Sequence, residues 1–223
     1  MKTKILISFL FCTLTVLTIL GNCATRTEFV YEHPEIQPQS LRGLIVGFFS
    51  IEDQREDSKE MDKVYGDFPV GSLNQILEEE MESTGLFEQV LILPEKQSDE
   101  EDYLNHTGIN FVVQPGLLEM KWEVPDYETK MKKIGGASFF FGLMGGMAYG
   151  SKITEVWGKT TLHIILTDAN TGELVLNKNY EGFYVEEMKI LECDTRSTKA
   201  YIVGKSFKQA MEEYKQDLIK TFE

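Results

Sequence analysis

The sequence predicts an α+β protein of the two-layer α/β sandwich type, a mixed sheet with two main helices packed on one face. Three observations predict it: short apolar runs of strand length, an amphipathic helical stripe between the first two, and a long helical stripe near the C-terminal end. Residues 41–223 read as a single domain, since about 200 residues with 42% hydrophobic content suffice for one core.

The first run is Leu44-Ile45-Val46-Gly47-Phe48-Phe49, continuous enough for a strand buried on both faces, and a charged loop from Glu52 to Asp67 follows it. Ser72 then precedes Leu73, Ile76, Leu77 and Met81, which recur at helical spacing, and Gln75 stands where a capping box places it. Gly85 is the expected stop. Glu78, Glu79, Glu80 and Glu82 read as a solvated face, because successive helical side chains point in different directions.

Val90-Leu91-Ile92-Leu93 reads as the next strand, and Ser98 with Glu101 suggests a short capped helix ending near Gly108. Residues 109–113 and 117–124 look like a strand broken at Pro115-Gly116, as at a bulge or an edge. Leu162, Ile164 and Leu166 alternate with Thr161, His163 and Ile165, and Asp168-Ala169-Asn170-Thr171-Gly172 is a turn before residues 174–184. That pair predicts a β-hairpin. Ala200, Val203, Gly204, Phe207, Met211, Tyr214 and Leu218 share one helical face, which has to pack on the sheet.

The N-terminal end reads as a processing segment. Lys2 and Lys4 precede an uncharged, largely apolar stretch, residues 5–20, and Leu20-Gly21-Asn22-Cys23 follows. That tetrapeptide resembles the lipobox of bacterial lipoproteins, with Asn22 in place of the usual small residue. The resemblance implies that residues 1–22 are removed and that Cys23 carries a thioether-linked diacylglycerol and an amide-linked acyl chain. Each buried methylene contributes about 0.8 kcal/mol, so two or three chains hold a protein on a bilayer durably. Residues 23–40, polar and interrupted by Pro34 and Pro38, read as a flexible tether reaching at most ~60 Å. Ala24 after the acylated Cys is not the Asp that resembles an inner-membrane retention signal, which points to the outer membrane.

The chain carries 36 acidic and 22 basic residues, a net charge of −14. Losing residues 1–22 removes Lys2 and Lys4 and no acid, leaving −16. Such a surface argues against nucleic acid and against electrostatic docking on anionic lipid, so the acyl chains are expected to do the anchoring. Cys12 is discarded and Cys23 acylated, so Cys193 is expected as a small buried apolar residue with no disulfide.

Catalytic patterns are lacking in the sequence. His33, His106 and His163 are scattered, no Cys or His stands at ligand spacing, and Gly142-Leu143-Met144-Gly145-Gly146 lacks the Lys-Ser/Thr of a phosphate loop. No Gly-x-Ser-x-Gly elbow occurs. The expectation is therefore no enzyme, no metal and no cofactor beyond the covalent lipid. Trp122 and Trp157, with Tyr127 and Tyr149, read as ordinary strand aromatics that could otherwise line a recognition face.

Residues 125–151 read as an insertion, and residues 134–150 within it hold no charge. They carry Phe139, Phe140, Phe141, Leu143, Met144 and Met147, flanked by Lys130, Lys132, Lys133 and Lys152. In helical form, Ser138, Gly142, Gly146 and Gly150 would make one stripe of small residues. Six glycines weaken a lone helix by about 1 kcal/mol each, so the leading expectation is a buried loop or strand extension. A membrane-touching element and an exposed patch for a protein partner are the alternatives.

The phrases Phe48-Phe49-Ser50, Leu86-Phe87-Glu88-Gln89-Val90 and Leu166-Thr167-Asp168-Ala169-Asn170-Thr171-Gly172-Glu173-Leu174, with a closing helix, resemble small envelope lipoproteins. That group includes the curli-secretion lipoprotein, the lipoprotein activator of penicillin-binding proteins and the amino-terminal domain of the Tol β-propeller protein. The resemblance implies a non-enzymatic module with an envelope protein partner, assisting secretion, outer-membrane assembly or cell-wall synthesis. An oligomeric export component inserted through residues 134–150 and a surface-exposed ligand-binding lipoprotein are the other functions considered.

Overall fold

The computed structural model describes residues 31–34, 43–56, 70–94, 108–193 and 195–222. The signal segment, Asn22, Cys23, most of the tether, the charged loop beyond Glu56 and the helix expected after Ser98 lie outside the described residues.

The described elements run β1 (Leu44–Phe48), β2 (Glu52–Asp53), α1 (Val70–Ser83), β3 (Phe87–Ile92), β4 (Phe111–Glu123), α2 (Tyr127–Gly150), β5 (Ile153–Asp168), β6 (Leu174–Lys189) and α3 (Arg196–Phe222). They form one mixed sheet in the order β3-β1-β4-β5-β6, with β2 beside β4. Strands β3, β1 and β4 are parallel, and β4, β5 and β6 are antiparallel. Helices α1 and α3 form the second layer, as the α+β sandwich expectation requires.

Strand β1 is covered on both faces, which explains its unbroken apolar run: Val46 and Phe48 are fully buried in the main core, and Ile45 and Phe49 pack against a second cluster of Leu93, Ile109 and Val112. Helix α1 buries Leu73, Leu77 and Met81 and stops at Gly85, whose φ of 63° suits glycine. Its start differs from expectation. The helix begins at Val70, so Ser72 lies inside the first turn, and Gln75 reaches forward to Glu79 at 2.9 Å rather than back to a cap.

The expected break at Pro115-Gly116 is absent: β4 is continuous and central, with its register shift two residues later, between Leu117 and Glu119. The reason is a gap on one side of the strand. Val113 pairs with β1 and Gly116 with β2, and Val113 and Leu117 accept from Phe49 and Gln54 on that side. Pro115, two residues from each, turns its nitrogen into the gap, where no donor is needed.

The hairpin forms around Asp168, whose Oδ1 accepts from the amides of Asn170 and Thr171, while Gly172 adopts φ 70°. Both strands are longer than the sequence pattern shows, 16 residues each. Helix α3 lies close on this hairpin. A Cβ on Gly182 would overlap the Ser206 carbonyl and one on Gly158 would crowd Ile202, while Thr160 and Ser206 share a buried hydrogen bond of 2.8 Å. Ala200, Val203, Phe207, Met211, Tyr214 and Leu218 are buried on the α3 face that the sequence marks, joining Leu162, Ile164 and Tyr180 of the hairpin.

Part of the segment expected as a tether is seated on the helix layer. The Tyr31 ring packs edge-on against Phe207, Glu32 pairs with Lys205, and His33 Nδ1 lies 2.5 Å from Glu80 Oε1.

Candidate functional site: an apolar helical arm

The insertion is helical, which corrects the expectation of a buried loop or strand extension. Helix α2 leaves the end of β4 through Asp126, held at φ 55°, and returns to β5 through Ser151. Gly142, at φ 69° and ψ −170°, is not helical and divides α2 into residues 127–141 and 143–150. Only glycine adopts that backbone region readily.

The two parts fold back on each other. A Cβ on Gly146 would overlap the Ser138 hydroxyl and lie 3.5 Å from the Ile134 carbonyl oxygen. In a straight helix Gly146 would stand about 12 Å beyond Ser138 at 1.5 Å per residue. The arm is therefore a helical hairpin. The small residues Ser138 and Gly146 do permit close helix approach, but within the hairpin rather than as a stripe on one straight helix. Gly150 meets Leu191 at the base, where a Cβ would crowd the leucine side chain. The glycines that count against a lone helix are here the residues that reverse and seat a pair of helices. Tertiary contact overrides propensity.

The base is tied to the body by named contacts. Tyr127 and Trp122 meet edge to face at 5.8 Å, Lys199 stands 4.5 Å from the Trp122 centroid, and Lys130 donates to Thr154 Oγ1 at 2.7 Å and to the Pro125 carbonyl. Beneath lies a small cluster of Val124, Val156, Cys193 and Ile202. Cys193 is buried, as expected, and its thiol donates to the Ile190 carbonyl. Three large apolar side chains of the arm face outward: Phe139 is 84% exposed, Met144 76% and Met147 55%. Phe140, Phe141, Gly142 and Leu143 lie along the same reversal.

No described helix is long and apolar enough to cross a membrane. The uncharged segments of the two arms, 134–141 and 143–150, each span about 12 Å. The flanking lysines gather at the base. Lys132 is 80% exposed and lies 3.7 Å from Glu128, Lys133 is exposed, and Lys152 stands over the Tyr149 ring at 4.4 Å.

The other aromatic residues considered in the sequence separate. Trp157 packs with Phe183 at 5.5 Å on the sheet face away from the helices, beside exposed Val185, while Trp122 and Tyr127 belong to the arm base. His163 on that open face bonds Asn177 at 2.8 Å. A cleft of about 490 Å³ lies there too, lined by Gln54, Arg55, Glu119, Lys121, Lys159 and Glu181. Its charges answer one another. Burial pushes the Glu119 carboxyl up, yet Lys121 at 2.6 Å and Lys159 at 2.7 Å together hold it below the usual range, and Glu119 in turn raises Lys159. Such a self-neutralised cleft offers little net attraction to a charged ligand.

No protein-family model and no curated protein sequence matches the chain. Similar solved structures include the hypothetical protein CT253 of Chlamydia trachomatis, at 8% identity over 81% of this chain and 98% of that one, with a TM-score of 0.47. The PelC dodecamer of Paraburkholderia phytofirmans shares 12% identity over 81% and 93%, TM-score 0.36. The lipoprotein GNA1162 of Neisseria meningitidis shares 7% over 64% and 84%, TM-score 0.35. The class that the fold itself defines is a two-layer α+β sandwich bearing an apolar helical arm.

Proposed function

We propose that the protein is a lipid-anchored component of the bacterial envelope that acts without catalysis, its body serving as a scaffold and its arm as the element that makes contact. The observation that carries this reading is the outward display of Phe139, Met144 and Met147 on a hairpin that, among the described residues, is tied to the body at its base. Apolar side chains displayed together on a rigid support are normally covered in the working state of a protein. The lipobox-like segment around Cys23 supplies the address, and Ala24 favours the outer membrane. The module's role would be to appose its arm to another envelope component, as the accessory roles in secretion, outer-membrane assembly or cell-wall synthesis require.

A photoreactive side chain tests this in isolated membranes holding the lipidated protein. Placed at position 144 it should form adducts in high yield. Placed at Gln216, on the exposed side of α3, it should form few. Equal yields at the two positions would remove the arm as the contact element.

A further inference from the structure

We infer that the arm is a wedge for a single membrane leaflet: its tip enters the hydrocarbon while the lysines at its base lie among phosphate headgroups. The inference rests on the reading of the arm as the contact element and names what the arm contacts.

The polarity of the arm is layered along its length. Residues 134–150 hold no charge, and Lys130, Lys132, Lys133 and Lys152 all fall at the base, where Lys130 is bonded to Thr154 of β5. A protein partner would require no such layering. A bilayer surface does, because charge must stop where hydrocarbon begins, and lysine stems reach back to the interface.

The length fits the same occupant. The uncharged segments reach about 12 Å, against roughly 15 Å of hydrocarbon in one leaflet, half the ~30 Å core. A wedge of that depth stays in one leaflet, consistent with the absence of a described helix able to cross a membrane.

Charge selects the lipid. The chain as a whole is strongly acidic, at −14, so its body is repelled by anionic headgroups. On the arm itself this balance reverses, with four lysines in 126–133 and at 152 against Asp126 and Glu128, while Glu123, Glu155 and Glu192 stand on the body beside it. Tyr127 and Tyr149, half-buried near the two ends of the arm, are rings with a polar edge of the kind favoured at membrane interfaces. The geometry thus describes a body held off the surface and a basic, aromatic-ringed base that meets it. A second copy of the chain as occupant would bring the two acidic bodies together.

The test uses the full lipoprotein reconstituted into vesicles of phosphatidylethanolamine with about one quarter phosphatidylglycerol, an anionic fraction that gives the lysines a partner. Met144→Cys carries an environment-sensitive dye, and Gln216→Cys is the control. Cys193 is buried and Cys23 is expected to be acylated. Lipids bearing a nitroxide on the acyl chain should remove most of the emission at position 144 and little at 216, and aqueous iodide should do the reverse. Quenching at 144 should weaken in a Lys132→Glu, Lys133→Glu variant.

Iodide quenching at both positions alike would overturn the wedge. Shielding of position 144 from both quenchers, with chemical cross-links between copies, would also overturn it in favour of self-association while leaving the arm as the contact element. The contact reading fails separately, if photoadducts at 144 and 216 form in equal yield.

Discussion

Glu80, expected with its acidic neighbours on a solvated face, instead meets Lys215 between α1 and α3 at 2.7 Å, and neither side chain reaches solvent. Lys215 also donates to Ser83 Oγ at 2.8 Å, and His33 approaches the other Glu80 oxygen, so the buried carboxylate is answered from the neighbouring helix and from the N-terminal segment. Removing one member of such a pair leaves a buried charge uncompensated, at a cost of about 3–5 kcal/mol. Lys215→Met is therefore expected to lower the urea midpoint sharply, and the double variant Glu80→Leu with Lys215→Met should recover most of the loss. Equal midpoints for Lys215→Met and the wild type would contradict the pairing.

Tyrosines supply a second prediction at this scale. Burial raises the phenols of Tyr31, Tyr180 and Tyr214, with nearby acidic groups adding to the shift for the first two, and Tyr180 is pushed up to about 12. A folded pKa above the unfolded value near 10 favours the neutral form, so its stabilisation is complete below about pH 10 and declines as pH rises. For Tyr180 the decline runs from about 10 to about 12. Phenolate absorbance should show a group of tyrosines that ionise late, together with loss of the folded far-ultraviolet signal. Smooth titration of all nine tyrosines near pH 10 in a folded protein would refute this.

At the scale of elements, the seating of α3 on the β5–β6 hairpin depends on Gly182, where the helix backbone at Ser206 leaves no room for a side chain. Gly182→Ala should lift α3 from the hairpin and destabilise the fold by about 1–3 kcal/mol, the usual range for overpacking, read as a lower denaturation midpoint. Gly172→Ala, placed in the turn with nothing nearby, should leave the α3 contact intact and cost only the strain of a positive φ.

The elements were unevenly legible in the sequence. Helices α1 and α3 showed in their stripes, and the hairpin showed in its alternation and its Asp168 turn, because each signal is local and period-bound. Ser72 misled by one turn, since a capping box resembles any Ser followed by Gln. Pro115 misled because its acceptability depends on a gap between β1 and β2, which is a property of the sheet rather than of β4. The arm was hidden for a similar reason. Its glycines argue against a single helix, and only the fold-back of Gly146 onto Ser138 makes them favourable. Its outward residues were nonetheless visible as an uncharged block between lysines.

For the whole molecule, the layers divide the labour. The sandwich buries most of its apolar residues between one sheet face and two helices, and the arm concentrates exposed apolar surface at one end of the β4–β5 pair. Residues 31–34, seated by Tyr31, Glu32 and His33, bring the chain onto the body about eight residues after Cys23, so the two lie at most ~28 Å apart. A lipid on Cys23 would then hold the domain close enough to the bilayer for a short arm to reach it.

Hydrogen–deuterium exchange on the lipoprotein in its native membranes tests the central claim most directly, because an uncovered two-turn return helix opens readily whereas a covered one does not. Peptides spanning residues 134–150 should exchange more slowly in the wild type than in a Met144→Glu, Met147→Glu variant, with exchange in β5, β6 and α3 unchanged. Equal exchange of the arm in the two proteins would mean that nothing covers it, and would contradict its role as the contact element.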